Sequence, residues 1–341
     1  MKNQLLLGGL CCLMACSSPA PSSESETKPP PAMIGQLTAF DPAIKEVADA
    51  DSQAEVIATG FDWSEGPLWL EGQQKLIFSD VPRNTIYQWT EADGHSVYLQ
   101  PSGYTSEVER GGETGSNGLT LSPEGQLVLC QHGNRQMARM DAPLDQPAPR
   151  FTTLAGAYEG QRLNSPNDAV YNSRGDLFFT DPPYGLEGQV DDPAKETPFQ
   201  GVYQLKASGE LILLADSLTR PNGVAFLPGE QTMIVANSDP EDPAWYTFSF
   251  DESGNVTGSG LFYRVDDYEP AMPGLPDGLK VDANGYVFAT GPEGVRIFDA
   301  SGKVLGLFKL PDATSNCALS PDEKTLYITN DDKILRWQMR E

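Results

Sequence analysis

Histidine is nearly missing from this chain: His95 and His132 are the only two in 341 residues. Neither falls into a Cys/His arrangement with zinc spacing, which removes support for a zinc enzyme of the usual kind. Cysteine is scarce as well, five in all; Cys11 and Cys12 sit in the leader and Cys16 directly follows it. That leaves Cys130 and Cys317; an oxidising compartment would allow them to pair, but nothing in their spacing demands it, and two buried free thiols are expected. No Gly-x-Ser-x-Gly elbow occurs, so a serine hydrolase also loses support. Positive charge is short: 23 Lys and Arg against 48 Asp and Glu give a formal net charge of −25. Such an excess argues against nucleic acid or anionic lipid as partner and favours solubility.

The one conspicuous apolar run, Leu5 to Ala15, is too short to span a bilayer. It follows Met1-Lys2 and precedes Cys16-Ser17-Ser18, the layout of an export signal over 1–15. Leu13-Met14-Ala15-Cys16 resembles the bacterial lipobox, which implies lipidation at Cys16 and membrane contact only through that anchor. Ser17 resembles outer-membrane sorting, hence the periplasmic face of the outer membrane. Residues 16–50 are rich in Pro, Ser, Glu and Ala, a composition expected to form a flexible tether. From 51 to 341 the composition is globular and allows one large all-β domain.

What the chain has in abundance is one repeated pattern. Glu65-Gly66-Pro67-Leu68-Trp69 leads to Lys75–Asp80; Asn117-Gly118 leads to Gln126–Cys130, and Asn167-Asp168 to Asp176–Thr180. Asn222-Gly223, Asp277-Gly278 and Asn316-Cys317 lead in the same way to Thr232–Ala236, Tyr286–Thr290 and Thr325–Thr329. The two strands of each unit are joined by turn residues such as Ser122-Pro123-Glu124-Gly125 and Ala283-Asn284-Gly285. A third strand follows, as in Thr85–Trp89 and Ile334–Trp337. The starts lie 39 to 55 residues apart, about one four-stranded blade each. The pattern predicts a six-bladed β-propeller closed by an N-terminal strand, Glu55–Thr59, in the last blade.

In a propeller the first strand of each blade lines the central channel, so Glu65, Asn117, Asn167, Asn222, Asp277 and Asn316 are expected to form one ring. Two carboxylates and four amides facing one axis are costly to bury without a partner. Oxygen donors without His or Cys suit a hard cation, Ca2+ ahead of Zn2+ or Mn2+.

These residues also carry a resemblance. Glu65-Gly66-Pro67, Arg162-Leu163-Asn164-Ser165-Pro166-Asn167-Asp168, Phe179–Gly185, Arg220–Gly223 and Pro276–Leu279 resemble the gluconolactonase and senescence-marker-protein (regucalcin) family, to which diisopropyl fluorophosphatase is distantly similar. The resemblance runs from about residue 54 to the end. It implies that Glu65, Asn222 and Asp277 bind the metal, that Asn167 is a fourth ligand or a substrate contact, and that Asp277 doubles as the acid/base group. The implied reaction is hydrolysis of a sugar lactone or similar small ester. The cation would polarise the carbonyl while it or Asp277 activates a water, and Asn117 and Asn167 would orient hydroxyls. Arg162 reads either as a donor to the ring or carbonyl oxygen or as a surface salt-bridge partner. His132 reads either as a proton shuttle at the channel mouth or as a structural histidine bonded to backbone. The insertions Gly103–Gly115 and Gln189–Gln200 are expected to overhang the channel. Two other readings keep the fold: a phosphotriester or other ester hydrolase on the same site, and a non-catalytic propeller that binds a sugar or a protein.

Overall fold

The computed structural model describes residue 1 and residues 31–340. The expected export signal, apart from Met1, and the expected lipidation at Cys16 lie outside the described residues.

Six antiparallel sheets of four or five strands make the blades of a β-propeller. The first strands run Ser64–Leu70, Ser116–Leu121, Ala169–Tyr171, Pro221–Phe226, Leu279–Val281 and Thr314–Leu319 in blades 1 to 6. Each pairs with the second strand of its own blade across a turn, as Val224 does with Val235 and Ala318 with Tyr327. The turns place glycine where φ is positive, for instance Gly125 at 76° and Gly285 at 87°, which a residue with a Cβ adopts only at a cost. Alternating side chains then face the neighbouring blade on either side. Leu70, Ile77 and Ile86 of blade 1 pack with Leu119, Leu129 and Met140 of blade 2 in one buried cluster. Each such burial contributes about 1.5–3 kcal/mol. Cys130 and Cys317 are free and buried, in separate clusters.

Strand Ala54–Thr59 pairs antiparallel with Lys333–Gln338 as the fourth strand of blade 6, with Val56 opposite Leu335. A correction applies just before it. The tether expected over 16–50 is folded from residue 33: Met33–Ile34 pairs with Ala54–Glu55, and Gln36–Ala39 adds a fifth strand to blade 5 against Gly306–Lys309. A 3-10 turn, Pro42–Glu46, follows; the Asp41 carboxylate caps it by accepting from Ala43 N at 2.9 Å. Leu37, Ile44, Val47 and Ala48 are buried against Phe308 and Trp337. Composition averaged over 16–50 hides the change: the Pro- and Ser-rich character belongs to the residues before 32, whereas 33–48 is mostly apolar and buries four of its side chains while Met33 and Phe40 stay exposed.

The blades are registered to each other by bonds that recur around the axis. Ser79 Oγ, Thr180 Oγ1 and Thr290 Oγ1, each on a second strand, donate to the carbonyls of Asn117 (2.8 Å), Asn222 (2.6 Å) and Ser315 (2.9 Å) in the next blade. Gly118 N donates to Asn167 O and Gly278 N to Ser315 O, both at 2.7 Å. These contacts bring backbone so close that in four of the six blades the residue after the ring position is glycine: Gly66, Gly118, Gly223 and Gly278. A Cβ on Gly223 would lie 2.3 Å from Asp277 O and 2.7 Å from Gly278 Cα. Gly223→Ala is therefore expected to cost about 1–3 kcal/mol through overpacking, read as a lowered Tm; an unchanged Tm would show that neighbouring blades slide freely.

Candidate active site

Five of the six expected ring residues meet. Glu65, Asn117, Asn167, Asn222 and Asp277, from blades 1 to 5, line one cavity of 330 Å3 in the channel. The sixth does not. The repeated bonds to the carbonyls of Asn117, Asn167, Asn222 and Ser315 make Ser315 the equivalent position in blade 6. Asn316 is one residue out of phase, in register with Asp168 and the ring glycines. Its amide reaches Asp168 Oδ2 at 3.5 Å and its Oδ1 accepts from Lys280 Nζ at 3.3 Å. A slip of one residue turns a strand side chain to the other side, so a carboxamide in the right neighbourhood was not evidence of the right face.

Local structure explains how the ring residues are aimed. The second strand of several blades carries Asp or Asn at or near its end, and that side chain holds the turn that precedes the ring residue. Asp80 accepts from Asp62 N at 3.2 Å and Trp63 N at 3.3 Å. Asp181 accepts from Asn164 N at 2.7 Å and Ser165 N at 2.8 Å. Asn237 Oδ1 accepts from Arg220 N at 2.9 Å. Burial nevertheless pushes the Asp181 carboxyl up to about 7, against those stabilising bonds. These turns sit two or three residues ahead of Glu65, Asn167 and Asn222.

The ring is polar, buried and only partly satisfied. Glu65 Oε2 accepts from Gly66 N at 3.1 Å, and Asn222 Nδ2 donates to Ser238 Oγ at 2.9 Å. Asn117 Oδ1, Asn222 Oδ1 and Asp277 Oδ1 are buried with no hydrogen-bond partner. Burial pushes the Glu65 carboxyl up to about 8, reinforced by the negative Asp168 and Glu113. Asp277 is held well above the carboxylate range by burial and then by Glu65, Asp168 and Glu113. Orphan acceptor oxygens beside two mutually repelling carboxylates are costly to bury unless a proton or a hard cation compensates them. Among the described residues no group of three or more His, Cys, Asp or Glu side chains is arranged to hold a metal; a cation here would rest on two carboxylates and on amide oxygens.

Two other expectations are corrected. Arg162 is exposed and does not line the channel: its N donates to Glu196 Oε2 at 2.8 Å and its Nη2 to Asn134 O at 3.2 Å. It borders a separate cavity with Arg110 and Arg135, because the chain turns at Asn164-Ser165 before it reaches Asn167. His132 is fully buried and stays behind the channel wall; its Nδ1 lies 2.8 Å from Glu113 Oε2. Glu113 is what reaches the cavity. It arrives on the Gly103–Gly115 insertion, which Asn84 Oδ1 anchors by accepting from Gly103 N at 2.7 Å and which Arg110 ties to Gly133 O at 3.0 Å. The second insertion, Gln189–Gln200, contributes nothing to the cavity. Tyr268, Met272 and Leu275, ahead of the ring residue of blade 5, supply an apolar wall instead, together with Trp63 and Tyr184. Of these only Tyr184 lay in a motif visible in the sequence; the others sit in loops outside the repeat.

Residues 63–331 match the family model described as the SMP-30/Gluconolactonase/LRE-like region. The chain is 36% identical over 309 residues to a gluconolactonase of Zymomonas mobilis, covering 89% of this chain and 86% of that protein. It is 24% identical over 283 residues to a pentonolactonase of Haloferax volcanii, 80% of this chain and 83% of that one. A solved structure of a gluconolactonase from Xanthomonas campestris superposes with a TM-score of 0.76 at 29% identity, covering 92% of this chain and 99% of that chain.

Proposed function

Because the chain belongs to the SMP-30/gluconolactonase/LRE-like family, we propose that it is a lactonase that opens a sugar lactone in the channel cavity, with one divalent cation, Ca2+, bound there. Glu65, Asn222 and Asp277 are the cation's protein ligands in this reading, and Asn167 is a fourth ligand or a contact to substrate. The observation that carries it is the meeting of five ring residues on one 330 Å3 cavity in which three of their oxygens have no partner. A bound cation supplies Lewis-acid polarisation of the lactone carbonyl.

The chain's own residues do the rest. Asp277 takes a proton from the attacking water as its oxygen bonds to the acyl carbon, then returns it to the ring oxygen as the acyl–oxygen bond breaks. The products balance as one hydroxy acid from one lactone and one water. The amides of Asn117 and Asn167 can each donate and accept, which suits them to orient the carbonyl and neighbouring hydroxyls. Trp63, Tyr268, Met272 and Leu275 cover the C–H face of a sugar ring and exclude bulk water from the reacting side.

The test is turnover of an aldonolactone panel beside a phosphotriester panel, with Ca2+, Zn2+ or Mn2+ added in turn. Lactone hydrolysis that rises with Ca2+ is expected. If no lactone is opened under any metal while an organophosphate is, the reading falls.

A further inference from the structure

Glu113 is a carboxylate that the reaction above does not use, brought to the cavity by an insertion rather than by the blade repeat. We propose that it is the hydrogen-bond acceptor for substrate hydroxyl groups, oriented by His132, and that the pair selects hydroxylated lactones over their deoxy analogues. The proposal rests on the lactonase reading and names the feature of the substrate that the cavity recognises.

The geometry is that of a built pair. A carboxylate offers only acceptors, so the 2.8 Å contact between Glu113 Oε2 and His132 Nδ1 requires the proton on Nδ1. The His132 side chain has no exposed surface while that of Glu113 is 37% exposed. The imidazole therefore faces the carboxylate from within the wall, and the carboxylate faces the cavity. His132 is packed into the wall: its side chain is fully buried, its backbone N donates to Gly115 O at 3.1 Å, Gly185 leaves no room for a Cβ beside it, 2.9 Å from His132 Cβ, and its Nε2 has no hydrogen-bond partner. Glu113 Oε1 has no hydrogen bond to any described residue. Glu113 lines the same cavity as Glu65, Asn117, Asn167, Asn222 and Asp277, where a lactone would lie.

The chemistry matches one feature of a sugar lactone. Its hydroxyls are the only donors it carries, whereas its carbonyl and ring oxygens accept. The ring amides can serve either kind; a fixed carboxylate can serve only a donor. A site built around a substrate hydroxyl rejects the analogue that lacks it, because the acceptor is then left without a partner.

The experiment measures kcat/KM for a six-membered aldonolactone and for its monodeoxy analogues, with the wild type, Glu113→Gln, Glu113→Ala, His132→Phe and His132→Asn. The wild type should disfavour at least one deoxy analogue by about tenfold to a hundredfold, the range of a hydrogen bond to a charged group. In both Glu113 variants that ratio should collapse towards one. His132→Phe, which keeps buried volume but removes the donor, should reduce the ratio; His132→Asn, with an amide N–H near the position of Nδ1, should restore much of it. A parent-to-deoxy ratio unchanged in the Glu113 variants overturns the proposal, whatever the absolute loss of rate. So does loss of bound Ca2+ from Glu113→Gln in equilibrium dialysis, which would make Glu113 a cation ligand. Neither result bears on whether the wild type opens lactones, which its own turnover decides.

Discussion

Replacing Asp277 by Asn is expected to lower kcat on a lactone by about 10²–10⁴, the usual contribution of a positioned proton-transfer group. The substitution is isosteric and keeps an oxygen at the Oδ1 position, but the second oxygen becomes an N–H₂ donor that cannot take the water's proton. The backbone of residue 277 is held by its own N–H to Thr290 O at 3.1 Å, so the side chain can change without moving the strand. Nor should the variant unfold. Asp277 stands against Glu65, Asp168 and Glu113, and removing one negative charge from that group leaves Tm equal or higher. A lost kcat with an unchanged or raised Tm, and with Ca2+ still bound in equilibrium dialysis, is the expected result. A variant that keeps more than a tenth of the wild-type kcat would assign the proton transfer elsewhere and revive the non-catalytic reading.

Stripped of divalent cations, the protein should become less stable as pH rises from about 4.5 to 8. The sign follows from Glu65, whose carboxyl goes from 4.5 in the unfolded chain to about 8 in the folded one. Below 4.5 the group is protonated in both states and imposes no penalty. Between the two values the unfolded chain ionises while the folded chain holds the proton, and each pH unit costs about 1.4 kcal/mol. Above 8 the loss levels off, at an order of magnitude of 3–5 kcal/mol for this single group. Asp277 is shifted in the same direction, and so is Asp181, to about 7. Two controls separate their shares. Saturating Ca2+ should flatten the part due to Glu65 and Asp277, because it favours their ionised forms; Glu65→Gln should remove the Glu65 part without any metal. Asp181, whose partners are backbone N–H groups of its own turn, should keep its contribution in both. A chelated protein whose Tm is level from pH 5 to 8 would contradict a buried, uncompensated carboxyl at Glu65.

The same residues show how far a linear reading reaches. Glu65, Asn117, Asn167, Asn222 and Asp277 could be named in advance because each opens a first strand, and a strand with its turn is a local object. Alternation of period two and turn residues such as Gly125 and Gly285 are dictated within a dozen positions of the chain. Where the chain repeats such a unit in phase, equivalent positions must be equivalent in space. Blade 6 marks the limit of that logic. Ser315 and Asn316 are adjacent, both polar, and differ only in which one faces the axis; the decision lies in bonds to the neighbouring blades, Gly278 N to Ser315 O and Thr290 Oγ1 to the same carbonyl.

The number and order of blades, the hard-oxygen character of the channel and the five convergent ring residues were determined by the sequence itself, through short-range periodicity and residue chemistry. Tertiary structure alone decided that Glu113, not His132, enters the cavity, that Tyr268, Met272 and Leu275 roof it, that Arg162 turns away, and that residues 33–48 belong to the fold. Each of those outcomes depends on where a loop or a terminal segment comes to rest against a distant blade. Such contacts between residues far apart along the chain carry no repeat, since a loop is placed by the surface it lands on and not by its own period.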